Sequence, residues 1–270
     1  MKSRIFFVVG DKFNAFAKGK EVLTIKQLKA LLEAPRSFIN THNVLILGQG
    51  VQFEDVDAIL QSHNADPECK DSFEISDLRR ISDRADSQIS HKRYGHNTLI
   101  GMPTKLTEKK FEIPFNIDER CELMGDHQTG QHVQGMILIE AFRQSFLAVT
   151  DRFFPFNCSC GQSYFVINEL NTEFHNFLFP LPAHITYDIL EQDANERRAK
   201  YRIVMECIQN GIRCASSAAS FTVYPAEAIN NKEAELAHSV TQAMISAHRL
   251  PAQDALPAER EEQGDLEMQA

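Results

Sequence analysis

The sequence predicts an α+β protein in which an antiparallel sheet wraps around one long central helix, preceded by a small α/β unit. Residues 133–153 are apolar almost all round, which is typical of a helix inside a core. Residues 1–65 instead alternate short strand and helix patterns. The strand-like runs around the long helix are 98–102, 111–117, 164–170, 185–190, 201–209 and 212–224.

Composition and charge exclude several classes of protein. The 270 residues are 43% hydrophobic and 24% charged, a globular composition that is neither fibrous nor wholly disordered. A net charge of −9 argues against a nucleic-acid partner, because nucleic-acid binding needs a basic surface for phosphate contacts. No apolar run approaches the roughly 20 residues that cross a bilayer, so we expect no membrane partner.

The cysteines and the N-terminal stretch indicate the cellular compartment. Six cysteines occur without a CxxC pair, so we expect neither a metal site nor a cofactor, while a Cys–His nucleophile stays open. The apolar stretch 5–9 is shorter than the h-region of about 7–15 residues in a signal peptide. We therefore expect reduced thiols and a cytoplasmic protein.

Residues 1–65 have the pattern of a βαβα unit. The short apolar runs 5–9 and 44–47 predict buried strands. Thr24 and Gln27 have the spacing of a capping box at the start of a helix, and Pro35 stops that helix. The sequence assigns no role to this unit.

The Gly48-Gln49-Gly50 turn lies between the second strand and an amphipathic helix, as part of a dinucleotide-binding fingerprint would. However, Phe53 occupies the place of the third glycine, and no compelling acidic ribose ligand follows. A tight turn is therefore the favoured interpretation, with a nucleotide site as the alternative.

Four further segments follow. Residues 66–90 are dense in charge and are expected to form a connector with a short surface helix. Residues 91–226 contain the long helix and its sheet. Residues 227–250 have the pattern of an amphipathic helix, whereas residues 251–270 are rich in Ala, Pro, Glu and Gln and are expected to be disordered.

The last two strands are predicted to form a hairpin. Asn210-Gly211 separates them, and this dipeptide is the strongest short hairpin signal. The final strand carries small residues at 215–220, which would let a helix approach the sheet closely.

Three polar residues interrupt the apolar surface of the long helix. Glu140, Arg143 and Gln144 fall on one face, at spacings of three and four residues. A charge in a buried helix is costly unless it is paired or functional. Two interpretations stay open, a Glu140–Arg143 pair that closes a structural network and a polar wall of a pocket.

The start of this helix carries a recognisable motif. The run 132–144, HVQGMILIEAFRQ, resembles the HVPGM-x-L-x-EA-x-RQ signature of the A-factor biosynthesis (AfsA-type) hotdog family. Upstream, Asp126-His127 and His91-Lys92 are similar to two dipeptides of the same family. The resemblance implies that the antiparallel sheet and central helix form a single hotdog domain.

The chain departs from the family pattern in two respects. Gln134 stands where the signature has proline, and one hotdog repeat is evident where the best-known members carry two. A single repeat usually completes its site by pairing with a second copy. The resemblance therefore implies a homodimer through the hotdog domain.

The resemblance also implies an acyltransferase. Family members are associated with γ-butyrolactone or butenolide signal biosynthesis, in which a β-ketoacyl group passes from an acyl carrier protein to the hydroxyl of dihydroxyacetone phosphate. The implied partners are an acyl carrier protein or acyl-CoA thioester and a phosphorylated hydroxyl acceptor.

Two alternatives belong to other classes of function. One is a non-catalytic hotdog that binds an acyl thioester or a lipid-like ligand, and the other is a thioesterase or dehydratase. Related dehydratases place a catalytic histidine fourteen residues before the helix carboxylate, but Asp126 holds that position here.

The expected catalytic residues are Glu140, His127, Asp126 and Arg143. His127 or Glu140 would take the proton from an attacking hydroxyl, and Asp126 adjoins His127. Arg143 would hold a phosphate or carboxylate through its forked donors.

The expected substrate-binding residues are His132, Gly135, Met136 and Gln144. Backbone N–H groups near Gly135 and Met136 lie at the positive end of the helix and would polarise a thioester carbonyl. His132 would line the pocket or orient Glu140, and Gln144 lies on the same face as that carboxylate.

Overall fold

The computed structural model describes residues 3–35, 41–125, 129–155 and 163–248. Residues up to Pro225 form one compact unit, and the helix that follows belongs to a second unit. Among the described residues, no helix has the length and apolarity needed to cross a membrane.

The described residues of the N-terminal part contain a four-stranded sheet and four α-helices. Its strands are β1 (Ser3–Val9), β2 (Val22–Thr24), β3 (His42–Leu47) and β4 (Phe73–Glu74). The strands are parallel, in the order β2-β1-β3-β4. The helices are α1 (Asn14–Ala17), α2 (Ile25–Glu33), α3 (Phe53–Ala65) and α4 (Pro67–Ser72).

The capping box predicted at the start of α2 is confirmed. The backbone N–H of Gln27 donates to Thr24 Oγ1 at 3.3 Å, and the backbone N–H of Thr24 donates to Gln27 Oε1 at 2.9 Å. Two donors that a helix start would leave without partners are thereby satisfied.

Residues 66–90 differ from the charged connector that the sequence predicts. Helix α4, strand β4 and a 3-10 helix at Ser76–Asp83 complete the N-terminal sheet and its core. The sparse apolar residues decide this, because Phe73, Leu78 and Ile81 are buried in the core of the N-terminal sheet.

The second part corresponds to the hotdog domain that the sequence resemblance implies. Its strands are β5 (Thr104–Lys105), β6 (Lys110–Phe115), β7 (Ser163–Phe174), β8 (Ala183–Asn195), β9 (Arg198–Gln209) and β10 (Ile212–Pro225). They form one antiparallel sheet in the order β5-β6-β8-β9-β10-β7. Helix α5 (Gly135–Phe153) packs against this sheet as the predicted central helix.

Packing between α5 and the sheet follows from the sequence pattern. Phe146 of α5 stacks on Phe221 of β10 with ring centroids 4.6 Å apart. Ala215 and Ala219 of β10 are buried, so small side chains line part of the inner face of the sheet. The Asn210-Gly211 hairpin is confirmed, and both of its residues have positive φ, at 49° and 74°.

Residues 98–102 do not form the strand that the sequence predicts. They make only isolated bridges, one of which joins Ile100 to Phe115. Within this stretch, the backbone N–H of Leu99 donates to the side chain of Gln144 in α5, whereas the N–H of Gly101 donates to the carbonyl of Pro114 in β6.

The second unit contains α6 (Ala226–His248), which agrees with the helix predicted at 227–250 as far as His248. None of its residues is buried, and Leu236, Val240 and Met244 form an exposed apolar row. The tail 251–270, expected to be disordered, lies outside the described residues.

Candidate functional site

Glu140, on the second turn of α5, is the centre of a charged cluster. Lys92 Nζ lies 2.6 Å from Glu140 Oε1. Arg143 donates from Nε to Oε2 at 2.8 Å and from Nη2 to Oε1 at 2.9 Å. Only 17% of the Glu140 side chain is exposed, so one largely buried carboxylate holds two cations. Such bidentate, charge-assisted bonds are among the strong hydrogen bonds in proteins.

The cluster fixes the protonation state of Glu140. Burial by itself would raise the pKa of this carboxyl group, but the hydrogen bonds from Arg143, Lys92 and Gln144 outweigh burial and lower the pKa to about 2. Glu140 is therefore a carboxylate at neutral pH. A group with so low a pKa is a weak base, because proton transfer is favoured by a pKa near the working pH.

Gln144, expected to bind substrate, is fully buried behind Glu140. Its amide nitrogen donates to Glu140 Oε1 at 3.0 Å and to the carbonyl of Asn97 at 2.9 Å. Its amide oxygen accepts from the backbone N–H of Leu99 at 2.8 Å. These bonds place Gln144 as a support for Glu140 and for the chain that passes over α5.

A cavity of about 210 Å³ adjoins the charged cluster. Lys92, Glu122 and Glu140 provide charge on its wall, while Leu123, Met136 and Ile139 provide apolar surface. The remaining lining residues are Asn97 and Cys121. The cavity therefore combines an apolar surface with an ion pair, as sites for amphiphilic ligands do.

Cys121 does not supply an activated nucleophile to this cavity. Burial raises the pKa of its thiol, so the thiol stays protonated at neutral pH. Among the described residues, no group of three or more His, Cys, Asp and Glu side chains is arranged to hold a metal ion.

The first turn of α5 separates this cavity from a larger one. Gly135 and His132 line a second cavity of about 510 Å³, whereas Met136 lines the first. A side chain at position 135 would require the ring of Phe174 to shift, since an added Cβ would lie 2.9 Å from Cζ. The ring of His132 lies 4.7 Å from that of Phe177 at the wall of the larger cavity.

The N-cap residue of α5 does not cap the helix with its own side chain. Gln134, the N-cap residue, uses its side-chain amide to donate to the carbonyl of Leu123 instead. The first backbone N–H groups of a helix have no partner within the helix and carry partial positive charge. Both cavities therefore adjoin a helix end that favours developing negative charge.

Asp126 and His127, two of the expected catalytic residues, lie outside the described residues. Arg143 is on α5, where its Nε and Nη2 bind Glu140. The structure thus brings Glu140, Arg143 and Gln144 together, with Met136 on the adjoining cavity wall.

Lys92 is a site residue that the sequence pattern did not predict. In the sequence, only the His91-Lys92 dipeptide points to it. In the structure, His91 has a positive φ of 54° and its Nε2 lies 2.6 Å from Asp151 Oδ2. Adjacent residues therefore bind α5 at two points, Asp151 and Glu140, that are three turns apart on one face.

The Gly48-Gln49-Gly50 turn has a structural role. The segment after β6 occupies the edge where β1 and β3 end, because the N–H of Gly50 donates to the carbonyl of Ile117 at 3.0 Å. The side chain of Gln49 is buried and donates to the carbonyl of Phe115. These contacts support the tight-turn interpretation of this segment.

Comparison with solved structures finds chains of low identity. A candidate thioesterase from Shewanella oneidensis is 10% identical, with a TM-score of 0.35, over 52% of this chain and 87% of that one. A conserved protein from Pseudomonas aeruginosa is 14% identical, with a TM-score of 0.33, over 45% and 86%. A mutant thioesterase from the same organism is 13% identical, with a TM-score of 0.33, over 47% and 81%.

No curated protein sequence matches the chain. A family model does match, that of the A-factor biosynthesis hotdog domain, over residues 74–225. This range contains α5, its charged cluster and the whole six-stranded sheet, and it exceeds half of the 270 residues. The chain therefore belongs to the A-factor biosynthesis hotdog domain family.

Proposed function

We propose that this protein is an acyltransferase. It would move an acyl or β-ketoacyl group from a thioester of acyl carrier protein or CoA to a phosphorylated hydroxyl acceptor, such as dihydroxyacetone phosphate. The reaction would belong to γ-butyrolactone or butenolide-type biosynthesis. The observation that carries the proposal is the Lys92–Glu140 ion pair on the wall of a partly apolar cavity, beside the N-terminal end of α5. An acyl thioester needs the apolar wall, and a phosphorylated acceptor needs the cation.

The geometry favours a division of roles. Because the pKa of Glu140 is about 2, this carboxylate serves better to hold Lys92 and Arg143 than to accept a proton. Lys92 and the remaining donors of Arg143 would then bind the phosphate of the acceptor. Gln144 holds Glu140 in place, and His132 lines the neighbouring cavity.

The reaction is a transesterification. The acceptor hydroxyl oxygen attacks the thioester carbonyl, and the N–H groups of Gly135 and Met136 stabilise the negative charge that develops on the carbonyl oxygen. The attack forms the C–O ester bond, and the C–S bond then breaks as the carbonyl re-forms from the tetrahedral intermediate. The hydroxyl proton passes through a base, for which we propose His127 with Asp126 beside it, to the departing thiolate.

We also propose a homodimer formed through β7. Among the described strands, β7 pairs with β10 alone and forms an edge of the sheet. It exposes Ile167 and Phe174, and Phe174 also lines the larger cavity beside Gly135. A long edge strand with exposed apolar side chains is suited to pairing with another chain.

The experiment compares thioester loss with and without acceptor. The full-length protein is incubated with β-ketoacyl carrier protein, alone and with dihydroxyacetone phosphate. Acceptor-dependent release of thiol with formation of an ester supports the transferase. Acceptor-independent release instead indicates a thioesterase, and tight binding without release indicates a non-catalytic acyl-thioester protein. Either result would exclude the proposal.

Glu140→Gln tests the charged cluster in the same assay. We expect acyl transfer to fall about 100-fold or more, because Lys92 and Arg143 lose the carboxylate that holds them. Glu206→Gln is the matched control, since Glu206 pairs with Arg213 on an exposed surface. Equal turnover by the Glu140→Gln and Glu206→Gln variants would show that Glu140 has no role in acyl transfer.

A further inference from the structure

Residues 11–17 of the N-terminal part reach the hotdog domain beside the two cavities. Lys12 Nζ donates to the carbonyl of Met124 at 2.8 Å. The backbone N–H of Phe16 donates to the carbonyl of Gly130 at 3.0 Å, and Gln131 Nε2 donates to the carbonyl of Ala15 at 3.1 Å. The segment 11–17 is thus hydrogen-bonded to the hotdog domain at two places before α5, at Met124 and at Gly130-Gln131.

The bonded positions adjoin the cavity walls. Met124 follows Leu123, which lines the cavity of about 210 Å³. Gln131 precedes His132, which lines the cavity of about 510 Å³. A shift of the backbone at Met124 or Gln131 would therefore move a wall of one cavity.

The segment 11–17 is itself well anchored. Phe13 and Phe16 are buried in the same core cluster as α5 and the hotdog sheet. The ring of Phe16 also stacks on Phe179, with centroids 5.6 Å apart. The backbone N–H of Lys12 donates to Glu119 Oε2 at 3.1 Å. Support from a packed segment is what keeps a binding site in its productive geometry.

We infer that Lys12 is a positioning residue that holds the walls of the acyl-thioester site, and that the N-terminal part is therefore built into this site. The inference rests on the proposed function for the identity of the ligand. Its structural half, that Lys12 fixes the backbone at residues 121–125, can be measured without any turnover.

The chain offers a closely matched control. Lys20 Nζ donates to the carbonyl of Phe16 at 2.8 Å, the same bond type and length as that of Lys12, but it stays within the N-terminal part. Lys12→Met and Lys20→Met each remove one such bond and keep an apolar side chain of similar length. Lys12→Arg retains a charged donor and should restore the bond.

Amide hydrogen exchange of the full-length variants tests the structural half. We expect Lys12→Met to speed exchange at residues 121–125 about tenfold, with little change in β8 and β9, because a bond from a charged donor is lost only there. Lys20→Met should leave 121–125 unchanged, and Lys12→Arg should exchange at nearly the wild-type rate. Wild-type exchange at 121–125 in Lys12→Met would overturn the inference.

Kinetics with the acyl carrier protein substrate test the functional half. We expect Lys12→Met to raise KM for the thioester about tenfold and to change the thermal midpoint no more than Lys20→Met does. Faster local exchange with unchanged KM and kcat would overturn the positioning role. If the wild-type protein transfers no acyl group but Lys12→Met still speeds local exchange, the proposed function is refuted while the structural role of Lys12 is supported.

Discussion

Lys92 Nζ lies 2.6 Å from Glu140 Oε1, and this contact joins the turn before the hotdog sheet to the central helix. The two side chains are mostly buried, with 24% and 17% of their surface exposed. A buried carboxylate without its cations would be costly, so the turn and the helix depend on each other for the charge balance of the site.

Glu140 should make stability depend on pH in the acid range. Its folded-state pKa of about 2 is below the ordinary value of 4.5, so the unfolded chain takes up a proton first as the pH falls. The stabilisation, on the order of 3 kcal/mol, is complete above pH 4.5 and is lost between there and about pH 2. Urea denaturation should show Glu140→Gln less stable than wild type at pH 6, with the difference shrinking towards pH 2. A difference that is constant over this range would contradict the assignment.

Lys92 should recognise the phosphate of the acceptor. In Lys92→Met we expect KM for dihydroxyacetone phosphate to rise about tenfold or more, because a cation beside the cavity is lost. Transfer to unphosphorylated dihydroxyacetone should be far less affected, and comparison of the two acceptors is the measurement. Lys105→Met, which removes a surface ion pair with Glu108, is the control. Equal losses with both acceptors would mean that Lys92 only supports the fold.

Gln144 should matter for stability as well as for the site. Gln144→Leu leaves the N–H of Leu99 and the carbonyl of Asn97 buried without this partner. We expect the free energy of unfolding to fall by about 2–4 kcal/mol, since unsatisfied buried groups cost about 1–3 kcal/mol each. Urea denaturation checks this, with Gln61→Leu on the exposed surface of α3 as the control. A loss no greater than that of the control would contradict the structural role.

The proposed dimer should depend on the exposed side chains of β7. Ile167→Lys places a charge on this edge strand, which is a common means of preventing strand pairing. We expect the protein to elute as a dimer and the variant as a monomer, with light scattering giving the masses. Ile212→Lys, at an exposed position at the start of β10, should leave the dimer intact. A variant that remains dimeric would exclude β7 as the interface.

Local patterns in the sequence predicted much of the fold. The capping box of Thr24 and the Asn210-Gly211 hairpin are formed by residues close together in the chain, so a short sequence is sufficient to specify them. The apolar character of α5 predicted a buried helix, and the motif at 132–144 predicted the family that the comparison shows. The sequence also predicted that Glu140, Arg143 and Gln144 share one face of that helix.

Only the tertiary structure decided the partners of those residues. Lys92 is 48 positions before Glu140, and Lys12 is 112 positions before Met124, so no local spacing reveals either contact. The same holds for residues 66–90, whose few apolar side chains become core only because β3 lies beside β4. Sequence periodicity determines which face of an element is buried, whereas packing of distant segments determines which group meets a buried charge.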